Sequence, residues 1–212
     1  GEHVVVHGRP ALAAALEGGA EATARPAEAM ALCVAPWGVR VSATGDEPLA
    51  RAFGCLVAAM GTPRAALVEA TVAVPSGAGL GSSAALGVAV LKAIDDLFET
   101  ARSEDELHEL ALTWERVFHG NPSGIDTAMA LSGGVARYVR EPKPGERRLE
   151  RVVPRCPIRL VIGESGEGAS TKAMVDEVAR QRARSPDKTE KLFDAVASIV
   201  ETGRAAIERG DM

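Results

Sequence analysis

Hydrophobic and polar positions along this chain fall into two rhythms, and the change from one to the other places most of its elements. From Ala66 to Val74 the period is two, with Val68, Ala70, Val72 and Val74 on one face and Glu69 and Thr71 on the other, which predicts a half-buried strand. Ala84 to Leu91 is apolar all the way round, the pattern of a helix buried on most sides. Two helices with a single apolar stripe flank this pair. Leu49, Phe53, Leu56, Val57 and Met60 form one, entered through Asp46-Glu47-Pro48 and stopped by Gly61 and Pro63. Leu107, Leu110, Ala111, Trp114, Val117 and Phe118 form the other, opened by a Ser103/Glu106 capping box, with Glu115 half-shielded on the margin of the stripe. Pro186 to Arg209 carries Leu192, Phe193, Val196, Ile199, Val200 and Ile207 on one stripe and reads as a packing helix. Further strands are expected in the β-branched run of Gly1 to Gly8, and at Trp37–Thr44, Gly133–Arg140 and Ile158–Ile162. Glu141 to Arg151, rich in charge and proline, reads as a crossing segment, and there the division into domains 1–150 and 151–212 is set. No internal repeat is present.

The alternating strand and the buried helix are joined by Pro75-Ser76-Gly77-Ala78-Gly79-Leu80-Gly81-Ser82-Ser83-Ala84-Ala85. Gly77, Gly79 and Gly81 can take backbone angles closed to other residues. The N–H groups of the loop can therefore converge on one point, where the helix N-terminus adds positive partial charge. An anion is the natural occupant. The Walker loop is excluded because Ser82 follows Gly81 and no lysine is near. The dinucleotide fingerprint is excluded because Ser82 stands where its third glycine belongs. Taken alone, the segment also fits a plain turn capped by Ser82 or Ser83.

Three other places carry candidate chemistry. The helix that ends near Phe118 runs into His119-Gly120-Asn121-Pro122-Ser123-Gly124-Ile125-Asp126, too rich in Gly, Pro and Asn to continue it. Asp126 then precedes the apolar run Ala128–Leu131, so it is either an N-cap or a site carboxylate at a loop-to-helix junction. Glu115, likewise, is either a solvated edge residue or a carboxylate open to a metal. Glu2, His3 and His7 bracket the first β-branched run, as strand ends and a core imidazole or as part of a pocket. Gly163 to Lys172 opens a helix and is a second candidate anion site, with Ser170 as a plain cap or Thr171 as a site residue.

Composition narrows the classes. The 212 residues are 46% hydrophobic but only 3% aromatic, so the core must be built of Ala, Val and Leu. Lys and Arg number 24 against 29 Asp and Glu, mixed along the chain, which argues against a nucleic-acid partner. Cys33, Cys55 and Cys156 are odd in number and without a CxxC pair, which argues for incidental thiols in a reducing, cytoplasmic setting. The longest apolar run ends at Lys92, short of a bilayer span, so no membrane partner is expected. The chain starts at Gly1 without an initiator Met and inside a motif, so a segment upstream is expected.

Three motifs occur here in an order known from one family. Pro-x-x-x-Gly-Leu-Gly-Ser-Ser-Ala-Ala resembles the ATP-phosphate loop of the GHMP small-molecule kinases. Gly-Glu-His-x-Val-Val-His-Gly-x-Pro-Ala-Leu-Ala, from Gly1, is similar to the first motif of the mevalonate kinase branch, and lacks the Thr-Asp-Tyr-like continuation of galactokinase-type relatives. Glu-Arg-x-x-His-Gly-Asn-Pro-Ser-Gly-Ile-Asp, Glu115 to Asp126, resembles the same branch. The resemblance implies an α+β fold: an N-terminal domain like domain 2 of ribosomal protein S5, then a ferredoxin-like domain of which 151–212 would be the opening part. It implies ATP phosphates on Gly77, Ala78, Gly79, Leu80, Gly81, Ser82 and Ser83, with Mg2+ held by Ser83 and Glu115. It further implies Asp126 as the catalytic carboxylate facing the substrate hydroxyl, Glu2 and His3 bordering the acceptor pocket, and Thr171 near the transferred phosphate. The implied reaction is phosphorylation of mevalonate to 5-phosphomevalonate in isoprenoid precursor synthesis. A kinase of the same superfamily acting on phosphomevalonate or a sugar is an alternative, as is a truncated, non-catalytic nucleotide-binding protein. A homodimer is compatible with the resemblance. The lysine that the family carries before Gly-Glu-His would lie ahead of Gly1, and its Thr-Gly-Ala-Gly-Gly-Gly loop is absent, so the 212 residues are expected to be a fragment.

Overall fold

Alanine does much of the work of β-branched residues in the early strands. In the computed structural model, which describes residues 3–61, 64–140, 147–163 and 171–211, β1 spans Ala11–Ala14, β2 Ala20–Pro26, β3 Ala31–Val34 and β4 Val39–Ser42. Then come α1 (Pro48–Met60), β5 (Ala66–Val72), α2 (Ser82–Phe98), α3 (Glu104–His119) and α4 (Ile125–Ser132). The chain continues with β6 (Val135–Arg140), β7 (Arg147–Val152), α5 (Thr171–Arg184) and α6 (Pro186–Arg209). It forms two units, one continuous over residues 17–131 and one combining 1–16 with 132–212.

The continuous unit is a four-stranded sheet, ordered β2-β5-β3-β4, with helices packed on it. β5 pairs antiparallel with β2 and parallel with β3, and its alternation is the one the sequence predicts: Val68, Ala70 and Val72 are buried while Glu69 and Thr71 are exposed. α2 lies along β2 and β5, and α3 packs on α1 and α2. Close approach is secured by a glycine in α1. A Cβ on Gly54 would lie 2.2 Å from the carbonyl oxygen of Ala43, at the end of β4. The core is aliphatic around Leu32, Leu56, Leu86, Leu91 and Ile94, with Phe53 and Trp114 as its buried aromatics. The capping box of α3 is present, with Ser103 and Glu106 each bonded to the other's backbone N–H. Beyond the end of α2, Arg102 donates to the buried Asp95 at 2.5 Å and to the carbonyl of Met60 at 2.8 Å, and Thr100 donates to Asp95 as well. Burial works to raise the Asp95 carboxyl, but the hydrogen bonds from Thr100 and Arg102 outweigh it and hold the group below its ordinary value.

The discontinuous unit is an antiparallel sheet ordered β1-β6-β7, with α6 packed on β1 and β7. Tyr138 and Val152 are buried there. Three expectations need correction. The β-branched run Val4–Val6 is not a strand: Val5–His7 form a single tight helical turn closed by Gly8 in the left-handed region. His7 and Gly8 donate to the carbonyls of Val4 and Val5, so the backbone groups that a ladder would need are satisfied locally. Within the supposed crossing segment, β7 is a strand, on which Glu150 stands 3.6 Å from Arg137 of β6, and Arg137 also donates to Glu201 of α6 at 2.6 Å. Ile158–Ile162 forms no strand, and with no partner strand beside it among the described residues, Leu160, Val161 and Ile162 stay exposed. The stripe on α6 is also narrower than its sequence suggests. Phe193 and Val200 are buried with Thr189, whereas Leu192 and Ile199 face solvent. Cys33, Cys55 and Cys156 are free thiols. No helix among the described residues is long and apolar enough to cross a membrane.

Candidate active site

The loop between β5 and α2 adopts the conformation its glycines permit. Gly77, Gly79 and Gly81 have φ of +79°, +71° and +69°, where other residues are strained. A side chain on Gly77 or Gly79 would meet nothing within 4 Å, so strain and not crowding explains glycine at both positions. Gly81 is the N-cap of α2, and no side chain caps the helix. The plain reading of a turn capped by Ser82 or Ser83 is therefore not what forms. Ser82 is buried, and Ser83 turns its hydroxyl elsewhere.

That hydroxyl donates to Oε1 of Glu115 on α3 at 2.6 Å. Glu115 is not half-shielded, as its marginal place on the stripe suggests, but only 4% exposed, because α2 packs over that side of α3. Burial pushes its carboxyl above the ordinary glutamate value. The hydrogen bond from Ser83 and the neighbouring His119 pull the other way, and the charge of Asp126 adds to the rise. His119 Nε2 stands 3.5 Å from Oε2 of Glu115, one turn further along α3. A desolvated carboxylate beside a second carboxylate is an environment that a cation relieves. Ser83 and Glu115 are hard oxygen donors, and two such ligands fit magnesium, which takes one or two protein groups and fills its shell with phosphate oxygens and water.

Asp126 is the second residue of α4, one position inside the helix and exposed. At the start of this helix the Oγ of Ser123 accepts from the N–H of Ile125 at 3.3 Å. The Asp126 carboxyl lies against the phosphate-loop candidate: a Cβ on Gly81 would be 3.6 Å from its Oδ1. The segment before it is pinned by the buried His108, whose Nε2 donates to the carbonyl of Gly124 at 3.1 Å.

The continuous unit thus brings together Gly81, Ser83, Glu115 and Asp126. His3 and Thr171 belong to the other unit, His3 in a partly buried turn and Thr171 as the first residue of α5; Glu2 lies outside the described residues. Three residues of the continuous unit went unassigned by sequence reasoning. His119 had a signal in its i, i+4 spacing from Glu115. His108 and Trp114 had none beyond a place on an amphipathic helix, since the contacts that matter here, His108 with Gly124 and Trp114 with Ser83, are with residues distant in sequence.

Comparison with known proteins points the same way. Residues 48–134 match the GHMP kinases N terminal domain. A mevalonate kinase of Arabidopsis thaliana is 35% identical over 149 residues, covering 65% of this chain and 38% of that protein. A mevalonate kinase of Thermococcus gammatolerans is 29% identical over 225 residues, covering 96% of this chain and 65% of the relative. The chain thus spans from about two fifths to just under two thirds of the length of these relatives. The crystal structure of L. major mevalonate kinase in complex with R-mevalonate superposes with a TM-score of 0.75 at 24% identity, covering 100% of this chain and 66% of that one. At that identity the likeness is one of fold, and it agrees with the mixed α and β architecture built above. The matched stretch holds the glycine loop and both carboxylates, so it is to the GHMP kinases N terminal domain that residues 48–134 of this chain are similar.

Proposed function

We propose that this chain carries the machinery of an ATP-dependent kinase that phosphorylates the hydroxyl of mevalonate. The observation that carries the reading is the Asp126 carboxyl against Gly81, with Ser83, on the helix that the glycine loop opens, bonded to Glu115 of α3. A phosphate cradle, a cation-ready pair and an exposed carboxylate are what phosphoryl transfer to an alcohol requires.

In this reading the backbone N–H groups from Gly77 to Ser83 bind the ATP phosphates, with Ala78, Leu80 and Ser82 taking part through the main chain. Ser83 and Glu115 hold Mg2+, which when bound offsets phosphate charge. Asp126 accepts a hydrogen bond from the substrate hydroxyl, orients its oxygen toward the terminal phosphorus, and takes the proton as the new P–O bond forms and ADP leaves. An ordinary aspartate is a weak base for an alcohol. In a loose transition state the proton leaves late, so orientation matters more than base strength. By the family resemblance, Glu2 and His3 would border the acceptor and Thr171 would serve near the transferred phosphate. In family terms residues 1–150 are the N-terminal kinase domain and 151–212 the opening of the second, working in the cytoplasm.

Asp126→Asn in the full-length protein tests the assignment. Asn keeps size and caps a helix about as well as Asp, so melting temperature and ATP affinity should hold while turnover with mevalonate falls about 10²- to 10⁴-fold. Near-normal turnover in a folded variant would sink the catalytic role.

A further inference from the structure

We infer that Trp114 is a positioning residue of this site, setting the Ser83 hydroxyl so that its proton goes to Glu115 and one lone pair stays open for a ligand. The inference rests on the kinase reading above and adds a residue to it. An indole N–H can only donate, and a serine hydroxyl has one proton and two lone pairs. Trp114 Nε1 lies 3.3 Å from Ser83 Oγ, so that contact consumes a lone pair. The single hydroxyl proton is then left for Oε1 of Glu115, 2.6 Å away. Two fixed partners remove the rotational freedom that an isolated hydroxyl keeps, and the second lone pair remains free to be donated to a cation.

The fold makes room for this contact. Gly87 lies one turn beyond Ser83 on the same face of α2, inside a buried apolar helix where alanine would favour helix formation. A Cβ there would stand 2.8 Å from Cδ1 and 3.1 Å from Nε1 of Trp114. The missing side chain lets the indole lie across the helix and reach Ser83. Trp114 is 1% exposed, and Phe118 lies against it with ring centroids 6.1 Å apart, so the ring is held from the side of its own helix as well. A purely structural tryptophan needs the ring but not the N–H.

Trp114→Phe keeps most of the ring and removes the donor. Two measurements on the 212-residue chain decide. In the first, the Trp114 indole N–H resonance is followed by nitrogen-15 NMR in wild type and in Ser83→Ala, with Trp37 as internal reference. The resonance should shift and exchange faster with solvent in the variant while that of Trp37 stays put, and an unmoved Trp114 signal would overturn the contact. In the second, magnesium-ATP affinity is measured by calorimetry for Trp114→Phe, Ser83→Ala and the double variant. Trp114→Phe should weaken binding about three- to tenfold, the worth of one hydrogen bond. Because both residues act through one hydroxyl, the double variant should bind no worse than Ser83→Ala alone. Losses that add, or a Trp114→Phe variant that binds like wild type, would make Trp114 a core residue only. A wild-type chain that binds no magnesium-ATP would instead bring down the kinase reading, and the positioning role with it, whatever the NMR shows of the contact.

Discussion

At the scale of single residues, the chemistry turns on Glu115, a carboxylate kept dry by the packing of two helices and answered by one hydroxyl. If it serves a cation, Glu115→Gln and Ser83→Ala should each raise the magnesium needed for half-maximal ATP binding, since each weakens one oxygen ligand with little change of shape. Magnesium titrations at fixed ATP, followed by calorimetry, check this, and superimposable curves would return Glu115 to a structural role. The sequence carried the identity of this residue through its motif, but not its burial. Periodicity on α3 placed it at the edge of the stripe. What buries it is α2, whose position depends on the strands beneath it and on Gly87 opposite Trp114, neither of which a one-dimensional pattern expresses. The glycines at 77, 79 and 81 were legible for the opposite reason: their need is local, fixed by backbone angle alone.

Among the elements, those with strong internal periodicity were placed within a few residues, α1, β5, α3 and α6, and so was the start of α2, although that helix runs on past the apolar run to Phe98. Those decided by their neighbours were not. β1 and β2, rich in alanine, become strands because β6 and β5 offer edges to pair with, while the more β-prone Ile158–Ile162 finds none among the described residues. A second element-scale device is the lock beyond the end of α2, where Asp95 gathers Thr100 and Arg102 and ties them back to the end of α1 through Met60. With Asp95 held low in the folded state, its stabilisation is present above the unfolded value of about 4 and is lost as pH falls through the lower folded value. Asp95→Asn should therefore lower the melting temperature at pH 7, and the gap to wild type should narrow as the pH drops below about 4. A gap that stays constant on acidification would mean that the charge is not what matters.

For the whole molecule, every described member of the hydrophobic core cluster, and the residues gathered around Gly81, fall within 17–131. A fragment of those residues should fold alone, with cooperative thermal unfolding and, once the exposed Trp37 is replaced by Phe, the buried emission of Trp114; a gradual melt with Trp114 exposed would show that the unit depends on the rest of the chain. The other unit cannot be cut out in this way, because β1 precedes the continuous unit and β6 follows it. Ala15 donates to the carbonyl of Gly134 at 2.8 Å, so the two strands meet just outside the ends of the inserted stretch. For a chain made from its N-terminus, β1 leaves the ribosome long before its partner exists and must wait, unpaired, through the synthesis of everything between. Closing so long a loop costs about 3 kcal/mol more than closing a hairpin of a few residues. If the stretch between folds first, it gathers its own two ends and most of that cost is already met when β6 emerges. The stretch that would bind the nucleotide is then also the splint on which the flanking sheet is assembled.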